Sequence, residues 1–270
     1  MKYKLLALDL DDTLLNTKYD ISPKNRAAIQ EAVERGVLVT IATGRMFRST
    51  LPYAQSLRID LPLITYHGAL IKKAASGEVL SHQSIPFKLA QDMLEFGEEK
   101  GLHFNLYLND QLYVREENEH SAYYQTIASI PLQEVGRLPD FLNQQKIEPT
   151  KLTIINRDDD YLNAIQAELQ QAFSPELSIL QSRPYFLEVT HRKATKGQAL
   201  KFLAEQEGIE REAIAAVGDS YNDVDMLQFA GLGAAVANAP EDVKKAADLV
   251  VRSNTEDGVA AFIGEYILGS

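Results

Sequence analysis

Three short stretches of this 270-residue chain put carboxylates and hydroxyls where a ligand could be held. Asp9-Leu10-Asp11-Asp12-Thr13 follows one apolar run, Thr43-Gly44-Arg45 a second, and Gly218-Asp219-Ser220-Tyr221-Asn222-Asp223 a third. Carboxylates gathered in one crevice repel each other unless a hard cation neutralises them, and a donor set of oxygens favours magnesium. Taken singly, each stretch has an ordinary explanation. Asp-x-Asp is common turn chemistry, Thr-Gly often opens a helix, and a Lys before Gly, as in Lys196-Gly197, is normally a solvated cation. Their shared position, each at the end of an apolar run or beside one, sets them apart as a group.

The elements that would position them follow from the apolar pattern. Tyr3 to Leu8 reads as a buried strand that stops at the acidic cluster. Ser22-Pro23 reads as an N-cap followed by proline in the first turn, with Ala28, Ile29, Ala32 and Val33 on the apolar face and Gly36 closing the helix. Val37 to Ala42 is a second strand, a helix runs through Phe47 and Leu51, and Leu63 to Tyr66 is a third strand. The same alternation returns near the other end: helix Lys196 to Glu207, strand Ile214 to Val217, helix Asp223 to Ala230, strand Leu232 to Val236, helix Pro240 to Ala247, strand Leu249 to Val251 and helix Val259 to Leu268. Alternating strands and helices predict an α/β fold, a Rossmann-like parallel sheet with both faces covered. Ligands bind such sheets outside the carboxyl ends of the strands, so Asp9 and Asp219 are expected to meet despite their separation in sequence.

The middle of the chain has a different pattern. Helix Leu89 to Lys100 leads to strands Phe104 to Leu108 and Leu112 to Val114, joined at Asn109-Asp110 like a hairpin. Helix His120 to Ile130, strand Leu152 to Ile155, helix Tyr161 to Phe173 and strands near Ser178 to Gln181 and Phe186 to Val189 follow. This α+β segment is expected to be an inserted domain over 83–188, with the parallel domain made of 1–82 and 189–270.

Composition narrows the function classes. The formal charge of −11 argues against nucleic acid, whose phosphates need a basic surface. The chain has no cysteine, which removes disulfides, thiolate nucleophiles and thiolate metal sites. Asp9, Asp11 and Asp12 interrupt the first apolar run too early for a signal peptide, and no stretch of membrane-spanning length follows, so a cytoplasmic enzyme without a membrane partner is expected.

Asp9-x-Asp11-x-Thr13-Leu14, Thr43-Gly44-Arg45, Lys196-Gly197 and Gly218-Asp219-x-x-Asn222-Asp223-x-x-Met226 resemble the four motifs of the haloacid dehalogenase superfamily. The long insertion between the second and third motifs, with Ala235-Val236-Ala237-Asn238-Ala239-Pro240, resembles its Cof-type branch, subfamily IIB. The resemblance implies an inserted cap of the C2 type and a magnesium-dependent phosphatase acting on small phosphate esters, sugar phosphates or related metabolites. It implies Asp9 as nucleophile, forming an aspartyl-phosphate, and Asp11 as proton donor and acceptor. It also implies metal ligation by Asp9, the Asp11 carbonyl and Asp219, with Asp223 either binding the metal through water or orienting Lys196. Leu10, Thr43, Gly44, Lys196 and Asn222 would hold the phosphoryl group. Thr13 would orient the nucleophile loop, and Arg45 would be either an exposed residue at a helix start, the favoured reading, or a substrate contact at the cap interface. A bound cation and local Lys or Arg groups would let an acidic protein accept an anionic substrate.

Two positions depart from the branch. Asp12 stands where Gly is frequent, and Asp tolerates the backbone angles such a loop needs. His67 stands where Asn commonly precedes Gly-Ala, at a hinge to the cap. The remaining histidines have no metal-ligand spacing. A phosphomutase or phosphotransferase of the superfamily would share every residue named. A receiver-type signalling domain would fit in less than half the length and leave the insertion unexplained, and a silent binding protein would not need the full set. Cap residues such as Arg183 are expected to read the leaving group. The pattern specifies neither the physiological substrate nor an oligomeric state.

Overall fold

The computed structural model describes residues 1–128, 130–173, 175–183 and 185–269, without the side chains of 126–128, 182 and 183. The chain divides into two units, Met1–Ser81 with Thr195–Ser270, and His82–Ala194.

In the first unit, β1 (Leu5–Leu8) is apolar and buried at all four positions. Helix α1 (Pro23–Glu34) starts where the sequence places it: the Ser22 hydroxyl accepts from the Asn25 amide at 3.1 Å, with Pro23 in the first turn. It leads to β2 (Leu38–Ile41), α2 (Phe47–Leu57), β3 (Pro62–Thr65), β4 (Leu70–Lys73) and β5 (Val79–His82). After the second unit come α7 (Lys196–Gln206), β12 (Ile214–Gly218), α8 (Val224–Phe229), β13 (Leu232–Val236), α9 (Glu241–Ala246), β14 (Leu249–Val251) and α10 (Gly258–Phe262). The parallel sheet has the order β14-β13-β12-β1-β2. The central strands carry small and branched apolar residues, as strands covered on both faces require, and α7 and α8 pack Leu200, Leu203, Met226 and Leu227 into the core beneath them.

The third expected strand behaves differently. β3 pairs antiparallel with β4 and lies beside β2 through a parallel Ala42–Ile64 bridge and a hydrogen bond from the Thr40 hydroxyl to the Pro62 carbonyl at 2.7 Å. Tyr66 and His67 take left-handed backbone angles just after it, turning the chain back at once into β4. That local reversal gives β3 a nearer partner than β2.

The second unit comprises α3 (Phe87–Lys100), β6 (Phe104–Leu108), β7 (Gln111–Val114), α4 (Glu119–Ala128), β8 (Leu132–Glu134), α5 (Leu138–Gln145), β9 (Lys151–Ile155), α6 (Asp159–Phe173), β10 (Leu177–Arg183) and β11 (Phe186–His191). Its six-stranded mixed sheet has the order β10-β11-β9-β6-β7-β8. Alternate residues Phe104, Leu106, Leu152, Ile154, Leu187 and Val189 form the core with α3, α5 and α6. β8 and α5 are not anticipated by the sequence pattern: Leu132–Glu134 is too short to show alternation, and the apolar Leu138, Phe141 and Leu142 of α5 span little more than one turn. β11 continues past 188 to His191, so residues 189–194 group with this unit. The side chain of Arg183 lies outside the described residues.

Candidate active site

The parallel register brings the strand ends together. Leu8 pairs with both Val217 and Ile41, the Asp9 amide donates to the Val217 carbonyl, and the Ala42 amide donates to the Leu8 carbonyl. Asp9, Thr43 and Asp219 therefore leave the sheet at one level, from the carboxyl ends of β1, β2 and β12.

Directly after Asp9 the chain winds into one wide turn closed by the Leu15 amide on the Leu10 carbonyl at 2.9 Å. Asp11 is extended inside it (φ −75°, ψ 133°) and Asp12 is left-handed (φ 57°). Asp12 thus supplies the angle for which Gly is frequent, with its side chain in solvent. The Asn238 side chain donates to the Asp12 carbonyl at 2.7 Å. The Asn254 amide donates to Asn238 Oδ1, and the Asn254 side chain to the Leu15 carbonyl at 2.9 Å. These two asparagines pin the middle and the exit of the turn.

Lys196 is buried between two carboxylates, its Nζ 2.6 Å from Asp9 Oδ1 and 2.5 Å from Asp223 Oδ1. It occupies the first position of α7, capped by the Thr195 hydroxyl on the Gln198 amide. A cation is unfavourable at a helix N-terminus. Burial would lower the Lys196 pKa too, but Asp223 and then Asp9 outweigh it and keep the ammonium charged. Asp223 Oδ2 accepts from the amides of Asp219 and Ser220, each at 3.0 Å. Both Asp223 oxygens are thus engaged by the protein. A side chain at Gly218 would lie 2.6 Å from Asp223 Cβ, so the glycine makes room for this arrangement.

The Thr13 hydroxyl donates to Asp219 Oδ1 at 2.9 Å, tying the first loop to the third. Thr43 is buried, with Oγ1 accepting from the Arg45 amide at 3.2 Å. Gly44 lies under His67: a Cβ there would sit 2.3 Å from the imidazole. Leu10 is buried. Half-buried Asn222 accepts from the Ser220 hydroxyl at 3.0 Å.

Carboxylate oxygens of Asp9, Asp219 and Asp223 lie within 4.8 Å of one another. Burial pushes Asp9 well above the usual carboxylate range, Lys196 opposing and Asp223 and Asp219 adding to the shift. Asp219 rises to about 7, through burial and then the charge of Asp223, with Thr13 and Lys196 opposing. Carboxylates so disfavoured as anions, with hard oxygen donors at this spacing, fit a divalent cation.

Arg45 departs from expectation. Its guanidinium forks onto Asp11, Nε to Oδ2 at 2.7 Å and Nη2 to Oδ1 at 2.6 Å, and its side chain is only 18% exposed. The fork needs both groups in one plane, a relation that residues 34 positions apart do not reveal in sequence. Asn254 has no signal in the sequence and Asn238 only its place in the Ala235–Pro240 motif, because the carbonyls they satisfy lie more than 200 positions away.

Comparisons with known proteins agree with this geometry. The family model for haloacid dehalogenase-like hydrolases matches residues 6–263. A 5-amino-6-(5-phospho-D-ribitylamino)uracil phosphatase of Bacillus subtilis is 34% identical over 265 residues, covering 98% of this chain and 96% of its own. A haloacid dehalogenase-like hydrolase from Bacteroides thetaiotaomicron superposes with a TM-score of 0.90 at 32% identity, over 98% of this chain and 99% of its own. A subclass IIB sugar phosphatase superposes at 0.83 and 26% identity, over 98% and 99%. With a matching family model, phosphatase relatives and the four motifs meeting at the ends of parallel strands, the chain belongs to the haloacid dehalogenase superfamily, in its Cof-type IIB branch, and is a phosphoric monoester hydrolase.

Proposed function

We propose that the chain hydrolyses small phosphate monoesters, sugar or polyol phosphates and related metabolites, through a phosphorylated Asp9. The observation that carries this reading is the buried Asp9 carboxylate at the end of β1, one oxygen held by Lys196 at 2.6 Å. An Asp9 oxygen attacks phosphorus as the ester oxygen departs with a proton from Asp11, one oxygen of which must leave the Arg45 fork to carry it. The Asp11 carboxylate then takes a proton from water that attacks the same phosphorus, releasing inorganic phosphate and restoring Asp9. Lys196, Thr43, Asn222 and the backbone amides of Leu10 and Gly44 hold the transferring oxygens. Asp223 orients Lys196, since both of its oxygens are already engaged.

Magnesium is the cation this site would take, held by Asp9, Asp219 and the Asp11 carbonyl; when bound it neutralises phosphoryl charge. The ribitylamino phosphate named for the Bacillus relative supports a polyol-like leaving group.

The test is Asp9→Asn assayed for inorganic phosphate release from a panel of sugar and polyol phosphates, with and without a chelator. We expect no release by the variant, unchanged folding by circular dichroism, and loss of wild-type activity on chelation that magnesium restores. Wild-type turnover by Asp9→Asn refutes the nucleophile, and turnover surviving chelation refutes the metal.

A further inference from the structure

Asp223 and Asp9 fix the ammonium of Lys196, but a long, flexible side chain reaches a set place only from a fixed backbone. That backbone is held by Asp225, the second open position between Asp223 and Met226 in the fourth motif. The Gly197 amide, in the peptide that joins it to Lys196, donates to Asp225 Oδ2 at 3.0 Å. The approach is close. A Cβ at Gly197 would lie 2.7 Å from both the Asp225 carbonyl oxygen and Oδ2, so only glycine lets α7 start this near α8.

The first amides of a helix have no acceptor within it. In α7 the Thr195 hydroxyl satisfies Gln198, and Asp225 satisfies Gly197. A carboxylate also suits this helix end, where Lys196 places a cation against the dipole. Leu200, Leu203, Met226 and Leu227 already join α7 and α8 in one apolar core, but apolar burial has no direction of its own. The hydrogen bond supplies the direction. The turn between β12 and α8 thus grips Lys196 at both ends, Asp223 on the ammonium and Asp225 on the peptide.

We propose that Asp225 is a positioning residue for Lys196. It fixes the Lys196–Gly197 peptide, so that the ammonium, oriented by Asp223, meets Asp9 and the transferring phosphoryl oxygens in one geometry. A preorganised donor stabilises developing charge without reorganising as the reaction proceeds, and freedom at its backbone forfeits that. The inference rests on the reading of Lys196 as a residue that holds the phosphoryl group.

The test measures, on the full chain with magnesium, kcat/KM for p-nitrophenyl phosphate and the inhibition constant of orthovanadate, a mimic of the transferring phosphoryl group. Asp225→Ala should lower kcat/KM and weaken vanadate by a similar factor, about tenfold, short of the roughly hundredfold that an ångström of misplacement can cost. Asp225→Asn keeps an acceptor oxygen and should stay within about threefold of wild type on both measures. A merely structural role would reduce the amount of folded enzyme and leave the vanadate constant unchanged. An unchanged constant in Asp225→Ala, or equal losses in Asp225→Ala and Asp225→Asn, overturns the proposal. If Asp225→Ala does not fold, Asp225→Ser, polar but too short to reach the Gly197 amide, takes its place in the same comparison. Wild-type kcat/KM and vanadate binding in Lys196→Met would remove the reading of Lys196 and this inference with it. An impaired Lys196→Met beside an Asp225→Ala that matches wild type overturns the role of Asp225 alone.

Discussion

At the residue scale the site is a set of opposed charges that are costly to bury and stable only together. Lys196 carries a cation at a helix N-terminus, the wrong end of the dipole, and is compensated by Asp9 and Asp223 at hydrogen-bond distance. With Asp223 neutralised, Lys196 keeps Asp9 as its counter-ion and loses one charge-assisted hydrogen bond, worth about 1.5–3 kcal/mol. Asp223→Asn should therefore lower stability by about that amount and nearly abolish turnover. Adding Lys196→Met leaves the buried Asp9 carboxylate without its cation, so stability should fall further and no activity should return, as thermal unfolding of the single and double variants can check. Recovery of turnover in the double variant would mean that Lys196 does not act on the phosphoryl group.

At the element scale, the wide turn after β1 is held by groups from the far end of the chain. The Asn254 side chain satisfies the Leu15 carbonyl, and its backbone amide binds Asn238, which in turn satisfies the Asp12 carbonyl. Asn254→Ala leaves a buried carbonyl without its donor, at a cost of about 1–3 kcal/mol. It should also reduce kcat, because the turn carries both Asp9 and Asp11. Urea unfolding and steady-state kinetics test this together, and an unchanged kcat would show that the turn keeps its geometry without the pin.

The element scale also shows where sequence patterns were a sufficient guide. The α1 cap, the buried run of β1 and the Gly218-Asp219 strand end were legible because each depends on residues within a few positions. The antiparallel pairing of β3 was not, because β strands take the partner that the turn chemistry offers, and two of the three positive-φ residues in the Tyr66-His67-Gly68 turn are not glycine. β8 is too short to show a period, whereas α5 does carry one, Leu138, Phe141 and Leu142 at i, i+3 and i+4, over only eight residues.

At the scale of the whole molecule, the second unit has its own response to pH. His103 is pushed down to about 4, first by burial and then by the charge of His120, whose ring centroid is 5.6 Å away. In an unfolded chain the group titrates near 6.5. Between those values the unfolded state binds more protons, so stability rises with pH and is lost as pH falls through that window. The effect approaches about 3 kcal/mol at its acid end, less where solvent screens the ring. Wild type should thus lose more stability between pH 7 and pH 4.5 than His103→Gln does. Parallel losses in chemical denaturation at the two pH values would show that His103 is not the group responsible.

The sequence by itself determined the alternation of strands and helices, the long insertion, and the three acidic or hydroxylic strand ends, because all of these are written in local periodicity and spacing. It also determined the family through its four motifs. Only the tertiary structure decided which groups touch: Lys196 between Asp9 and Asp223, Thr13 on Asp219, and Arg45 forked onto Asp11 rather than standing in solvent. Those contacts join loops from separate strands, and their partners are chosen by parallel register and by the satisfaction of buried charge. Neither leaves a trace in the spacing of the residues concerned.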